Sequence, residues 1–376
     1  MKVGLIIYGS LETISGGYLY DRKLVEWLRS QGDTIEIISL LWSAYGRHLS
    51  HNFSRGLFRR LREAPFDVLL QDELNHPSLF WLNGRLRPHI SYPIISIIHH
   101  LRSSEAHPRW LLPLYRPLER RYLRSVDGFV FNSQTTKQVV DEMVGSELML
   151  RERPFVVATP AGDRFQSATT GEEIIARCQE TGPLRVLFVG NLIPRKGLHR
   201  LVAALSQLPQ LDWQLDVVGE TAVDSPYTRR IQQQISQTGS SERITIRGPV
   251  SDEQLAQHYQ RSHILVVPSQ YEGFGIVYLE GMSFALPAIG TTAGAAGEII
   301  RDGENGYLVD VEETAVLAQH LQYLHQNRDE LTRFSHNARQ SFLTWPTWDD
   351  SMTKIRTFLQ SISKGDNTRR AAPADE

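Results

Sequence analysis

Short runs of aliphatic residues, each followed by a stretch with helical spacing, recur along most of the chain and constrain its fold more than any other feature. "KVGLIIY" (2–8), "TIEIISL" (34–40), "DVLLQ" (67–71), "PIISIIH" (93–99) and "GFVFNS" (128–133) read as strands apolar on both faces. Between the first two, residues 18–31 carry helical periodicity, with Leu24, Trp27 and Leu28 on one side. A strand buried on both faces needs helices above and below it. Strand–helix–strand repetition therefore predicts a parallel, doubly wound α/β sheet.

The pattern fades over 165–182 and then restarts. "LRVLFVGN" (184–191), "WQLDVVG" (213–219), "ERITIRG" (242–248), "HILVVPS" (263–269) and "LPAIGT" (286–291) alternate with helical stretches at 197–208, 226–238, 252–259 and from about 275. At 376 residues the chain exceeds one ordinary core. The expected organisation is two Rossmann-like domains, 1–165 and 184–345, joined by a linker over 166–183. A helix over 346–365 and a disordered tail, "DNTRRAAPADE" (366–376), follow.

Composition narrows the class. With 41% apolar and 22% charged residues the chain reads as soluble and globular, and a formal charge of −2 gives no pull toward nucleic acid. The single cysteine, Cys178, leaves no internal disulfide and points to a reducing, cytoplasmic setting. The apolar start "MKVGLIIYGS" is too short for a membrane span and reads as the first strand.

Open α/β sheets bind ligands beyond the carboxyl ends of their strands, and two such domains would leave a cleft there. The loop "QYEGFG" (270–275) joins a strand to a helix, and Gly273 and Gly275 admit close approach by a ligand. The free N–H groups at the helix start suit an anion such as phosphate. Glu272 and Glu280 flank this loop. Along a helix their backbones would lie roughly 10–12 Å apart. That is wider than the roughly 5–9.5 Å of glycosidase carboxylate pairs. The spacing suits a longer ligand gripped at two points: sugar, diphosphate and ribose. Otherwise these are two surface carboxylates. In "VGNLIPRKGLHRLV" (189–202), Arg195 and Lys196 precede Gly197 and a helix, where a lysine can meet a diphosphate as a point charge. The spacing is not that of a P-loop.

Together, "VGNLIPRKGLHRLVAAL" (189–205), the E-x7-E stretch 272–280 and "TTAGAAGEIIRDGENGYLVD" (291–310) resemble the family 4 glycosyltransferases, retaining enzymes of the GT-B fold. "SGGY" (15–18), "IIHHL" (97–101), "FNSQTTK" (131–137) and the closing segment 344–362 add to the resemblance. It implies that Glu280 accepts from the nucleotide ribose and Glu272 holds hydroxyls of the donor sugar. Amides of Gly273, Phe274 and Gly275 would meet sugar and phosphate, while Lys196 neutralises the departing diphosphate. His99 falls where the family carries a histidine beside the reacting centre. Gly16 and Gly17 would line the cleft, and the base would rest by "RGPV" (247–250), at Gly248 and Val250. Glu298 matches an acidic position that organises the next loop. The closing helix would cross back onto the first domain.

Two departures stand out. The family commonly has arginine where this chain has Asn191, which leaves Arg195 as the nearby substitute for a phosphate ligand. The family's "HD" is "HH" here, so the histidine is His99 or His100. No D-x-D is present, and the resemblance implies no metal and no cofactor beyond the nucleotide-sugar substrate.

Two basic, apolar stretches, "NFSRGLFRRLR" (52–62) and "RWLLPLYRPLERRYLRS" (109–125), read either as solvated helix faces or as a peripheral contact with an anionic membrane. The leading expectation is a metal-independent, retaining hexosyltransferase. It would move sugar from a nucleotide-diphosphate donor to a glycan, lipid or small-molecule acceptor. The alternatives are a nucleotide-sugar epimerase of the same fold and a non-catalytic nucleotide-sugar-binding protein.

Overall fold

The computed structural model describes residues 1–13, 15–105, 112–145 and 152–369. The chain divides into two compact units, Met1–Pro160 with Trp348–Glu376, and Ala161–Thr347.

The first unit holds a six-stranded parallel sheet. Its strands are β1 (Lys2–Tyr8), β2 (Thr34–Leu40), β3 (Val68–Asp72), β4 (Ile94–Ile98), β5 (Gly128–Phe131) and β6 (Phe155–Val157), in the order β2-β1-β3-β4-β5-β6. β3 and β4 are buried along their whole length, as expected of central strands covered on both faces. Each aliphatic side chain buried there contributes about 1.5–3 kcal/mol. The order reverses between β1 and β3, so loops after these strands diverge and leave room for a ligand.

The second unit repeats the plan with β7 (Leu184–Val189), β8 (Trp213–Val218), β9 (Ile244–Gly248), β10 (Ile264–Val266), β11 (Ala288–Thr291) and β12 (Gly306–Val309). Their order, β12-β11-β10-β7-β8-β9, is also wholly parallel. This is the Rossmann order, and its reversal lies between β7 and β10.

Three boundaries differ from the sequence reading. The first unit's leading segment ends at Pro160 rather than at residue 165. The stretch 166–183 is no free linker: Thr170 and Glu173 form a capping box for the helix Gly171–Gln179, which buries Ile174 and Cys178 in the second core. The closing helix starts at Trp348 and runs through Arg369, so the backbone of 366–369 is helical where a disordered tail was expected. Residues 370–376 lie outside the described residues.

The closing helix is bound into the first unit. Met352, Ile355 and Leu359 are buried, Trp348 packs edge-on to Tyr20, and Ser351 Oγ donates to the Thr159 carbonyl at 2.6 Å. Arg356 Nε donates to Asp33 Oδ2 at 2.8 Å, while the amino terminus reaches Asp33 Oδ1 at 2.6 Å. Burial raises the Asp33 carboxyl's pKa, but these two cations outweigh it and hold the carboxyl below its usual range.

Candidate functional site

In the second unit, the loops after β7 and β10 carry the chemistry, on the two strands where the order reverses. After β7 the chain makes a tight turn, Pro194–Lys196, that presents two basic side chains before Gly197. After β10 it runs extended to Glu272, which pairs with the loop following β11: Glu272 N donates to the Ala293 carbonyl and Ala295 N to the Glu272 carbonyl. The β7 and β10 loops are tied by one main-chain bond, Gln270 N to the Arg195 carbonyl at 2.7 Å, and by the Arg195 side chain, whose Nη1 donates to the Tyr271 carbonyl at 3.1 Å.

Glu272 is 6% exposed. Its Oε2 accepts from Lys196 Nζ at 2.7 Å and from Ser269 Oγ at 3.0 Å. Burial raises its pKa, but the Lys196 and Arg195 charges and both hydrogen bonds offset that and hold the carboxyl below the usual range. Gly275 then enters the helix Ile276–Ser283 with φ of 99°, a left-handed conformation in which a Cβ would meet the Tyr278 ring at 2.5 Å. That glycine is required by the turn and by Tyr278, whose hydroxyl donates to the Val267 carbonyl at 2.8 Å.

Eight residues beyond Glu272, Glu280 is 2% exposed rather than a charge on the helix surface. Tyr259 Oη donates to its Oε2 at 3.0 Å, and Arg164 Nη1 to its Oε1 at 3.3 Å. Arg164 is also ion-paired with Asp252. Burial pushes the Glu280 carboxyl up, only partly offset by Arg164 and Tyr259. The two glutamates thus sit in opposite environments: one held as an anion by a lysine, the other shifted toward its neutral form.

In the first unit, His99 ends β4 and is buried. Its Nε2 lies 3.2 Å from Asp21 Oδ1, and its main-chain N donates to Glu73 Oε2 at 3.1 Å. Asn132 Nδ2 donates to its carbonyl at 2.9 Å. Asp21, Asp72 and His99 converge, with one polar atom of each within 4.8 Å of the others, and all are buried. His99 Nε2 faces Asp21, and Asp72 lies against the Glu73 carboxyl, so protons can be shared across the group. His100 is more exposed and pairs with Glu105 at 3.0 Å. Of the two histidines, His99 is the buried one beside the glycines of the first loop.

The remaining expected residues fall around these two centres. Gly16 and Gly17 open the helix Gly16–Ser30, capped by Ser15, whose Oγ accepts from Tyr18 N. Asn191 is half-buried in the loop after β7. Phe274 is buried against Trp345, and Gly273 beside it is half-buried. Gly248 ends β9 with open space where a Cβ would stand, and Val250 is half-buried two residues on. Glu298 closes the turn Ala295–Glu298.

Sequence reasoning missed Arg164, Tyr259, Asp21, Asp72 and Glu73. Asp21 left a trace: it shares the buried helical stripe of Leu24, Val25 and Leu28, where a lone carboxylate is out of place. Arg164 left none, since its partner Glu280 lies 116 residues away.

The basic stretches are helical. Arg55–Glu63 buries Leu61 and exposes its arginines, with Arg60 paired to Glu36 and Arg62 to Glu63. Leu112–Leu123 is one helix through Pro117, burying Tyr115, Glu119, Tyr122 and Leu123. Arg109, Trp110 and Leu111 lie outside the described residues. Among the described residues no helix is long and apolar enough to cross a membrane.

Two family models divide the chain between them: Glycosyltransferase Family 4 matches residues 21–150, and Glycosyl transferases group 1 matches residues 172–341. The chain belongs to the family 4 glycosyltransferases. Among curated relatives of this family 4 chain, the alpha-D-kanosaminyltransferase of Streptomyces kanamyceticus is 27% identical over 260 residues, covering 66% of this chain and 65% of that protein. The matched segments of two further curated relatives span 48% and 60% of their length. Among solved structures, sucrose-phosphate synthase from Thermosynechococcus elongatus has a TM-score of 0.80 at 19% identity, over 97% of this chain and 99% of that one. Anabaena HepE, solved in complex with UDP and glucose, has a TM-score of 0.72 at 18% identity, over 96% and 100%. At these identities the structures establish the GT-B fold of the family 4 chain.

Proposed function

We propose that this chain is a retaining, metal-independent hexosyltransferase that takes its sugar from a nucleotide-diphosphate donor. The observation that carries the reading is the Lys196–Glu272 pair where the second sheet's order reverses, with Glu280 buried eight residues further on. Burying two carboxylates eight residues apart, one of them against a half-buried lysine, costs stability, and such costly charges cluster at functional sites. Anabaena HepE, solved with UDP and glucose, has the same fold, which supports a nucleotide-sugar as the ligand class.

In this reading Glu280 accepts from ribose hydroxyls and Glu272 from hydroxyls of the transferred sugar. Amides of Gly273, Phe274 and Gly275 meet sugar and phosphate, and Lys196 with Arg195 meets the diphosphate. Gly16, Gly17 and His99 are the first unit's substrate-contacting residues, and the base rests by Gly248 and Val250. The bond from the anomeric carbon to phosphate breaks and the acceptor hydroxyl bonds to the same face. The hydroxyl proton passes to the departing phosphate oxygen. Lysine, arginine and main-chain amides carry the charge a metal would otherwise meet. The acceptor class is a glycan, a lipid or a small alcohol.

The test is a binding screen of UDP-, GDP- and ADP-sugars by thermal shift, followed by product analysis with and without acceptor. A stabilising donor whose sugar appears on an acceptor with its anomeric configuration kept is the expected result. Binding with no transfer to any acceptor, or an epimer formed without one, would overturn the proposal.

A further inference from the structure

The packing of His99 is specific about its ring. One edge, carrying Cδ2 and Nε2, is closed off. A Cβ on Gly17 would stand 3.1 Å from Cδ2, a tight contact, so glycine lets this helix lie near the imidazole without displacing it. Asp21, one turn further along the same helix, takes Nε2. Tyr20 packs edge-on to the ring with centroids 5.2 Å apart. The opposite edge, carrying Nδ1 and Cε1, makes no hydrogen bond among the described residues. The main chain of His99 is held on both sides, by Glu73 Oε2 and by Asn132, with Thr136 Oγ1 adding a contact at 3.4 Å.

The charges around the ring are one-sided. From the helix Gly16–Ser30 come Asp21 with Tyr18 and Tyr20, and from the end of β3 come Asp72 and Glu73, with Tyr122 behind them. Among the described residues no lysine or arginine is ion-paired to any of these three acids. Asp21 Oδ2 and Glu73 Oε1 are buried without a partner. Three buried carboxyls of one sign cannot all stay ionised in a low-dielectric interior, so protons must enter the cluster.

We propose that Asp21 is the positioning residue of His99: it fixes the ring through Nε2 and holds it as an imidazolium, leaving Nδ1–H as a charged donor for an oxygen of the substrate. Asp72 and Glu73 share a proton behind it, which keeps the buried charge of the cluster small. The titration tendencies agree with the geometry. Burial lowers the His99 pKa, but the Asp21 charge and hydrogen bond, with the Asp72 charge, outweigh it and raise the ring above its ordinary value. Burial and Asp21 push Asp72 up to about 7, and burial and Asp72 push Glu73 well above the carboxylate range. The inference rests on the proposed function only in giving the donor a ligand to meet.

The experiment is an NMR titration of the full chain labelled at histidine, read alongside the pH dependence of kcat/KM. His99 is expected to titrate above the ordinary histidine range, with both ring nitrogens protonated at pH 7. Asp21→Asn should move that midpoint down by about one unit or more, and the alkaline limb of kcat/KM should move with it. His99→Gln should abolish the limb. Asp72→Asn, which leaves Asp21 in place, should move the midpoint in the same direction by less, and it decides the matter if Asp21→Asn fails to fold. An unmoved midpoint, or one below the ordinary range in the parent chain, overturns the proposal. So does a shift of the His99 signals by added Mg²⁺ or Zn²⁺ rather than by protons. If the midpoint follows Asp21 while kcat/KM ignores it, the pairing stands and the placement of His99 in the reaction falls.

Discussion

The two units bury charge in opposite ways. In the second, each acid at the sheet's reversal has a cation beside it: Glu272 has Lys196, and Glu280 has Arg164 with the Tyr259 hydroxyl in support. In the first, Asp21, Asp72 and Glu73 gather round one histidine. Glu272 beside its lysine keeps its charge across a wide pH range, whereas a cluster of like charges must take up and release protons near neutrality. The pairing in the second unit suits a ligand that carries its own charge, such as the proposed diphosphate. The cluster in the first suits a group whose charge has to be set by its surroundings.

Removing the cation from the balanced centre should have the largest effect. Lys196→Ala leaves Glu272 buried and without its main partner, so its carboxyl should climb toward or above the usual range. If Lys196 meets the diphosphate as proposed, the loss of its charge should cut kcat/KM by about 10²–10³-fold. Steady-state kinetics with the donor found in the binding screen measures this, and a loss under about fivefold would contradict the assignment. Glu280→Gln tests the other half of the pair. The amide oxygen still accepts from Tyr259, but the charge facing Arg164 is gone. Affinity for the nucleoside diphosphate should fall about tenfold, as expected for one charge-assisted hydrogen bond of roughly 1.5 kcal/mol, with calorimetry as the check.

The smallest effect sharpens the unbalanced side. Asp72 is pushed up to about 7, so the folded chain holds a proton there that the unfolded chain releases at lower pH. A carboxyl raised in this way loses the fold stability as pH climbs from about 4 toward 7. His99 has the same sign, its contribution present on the acid side and lost as pH rises through its raised folded value. Asp72→Asn should flatten the melting temperature between pH 4 and 7, with a gain at pH 7 of about 2–4 °C for each kcal/mol relieved. Scanning calorimetry across that range decides it, and an unchanged slope would mean that Asp72 is not the proton-holding group.

Much of the fold was legible because a parallel strand buried on both faces leaves an unbroken apolar run. Lys2–Tyr8, buried from Val3 onward, matches the residues expected from such a run; Thr34–Leu40 matches in its bounds but lies at a sheet edge and buries only about every other residue, so it is not apolar on both faces as expected. Phe155–Val157 and Gly306–Val309 were missed, both at sheet edges, short and only partly buried, where the demand for apolar residues relaxes. At the site, the glycine-bearing loop and the two glutamates could be read from local spacing. That Glu280 is buried could not, because the helix around it is apolar on nearly every side and shows no polar face to contrast with. Arg164 and Tyr259 reach it only through tertiary packing, for which a single chain leaves no local sign.

The closing helix has a consequence for how the chain is made. Asp33 and the amino terminus emerge early, while Trp348–Arg369, with Arg356, comes only after the whole of Ala161–Thr347 has been translated. At about 5–20 residues per second that interval is on the order of ten to forty seconds. Through it the leading sheet has no Arg356 for Asp33 and no Met352, Ile355 or Leu359 to cover its helices. The second unit is contiguous and can finish first. The half that begins synthesis is therefore the half that ends folding, and a nascent chain stalled before Trp348 would hold a complete second unit beside an unfinished first.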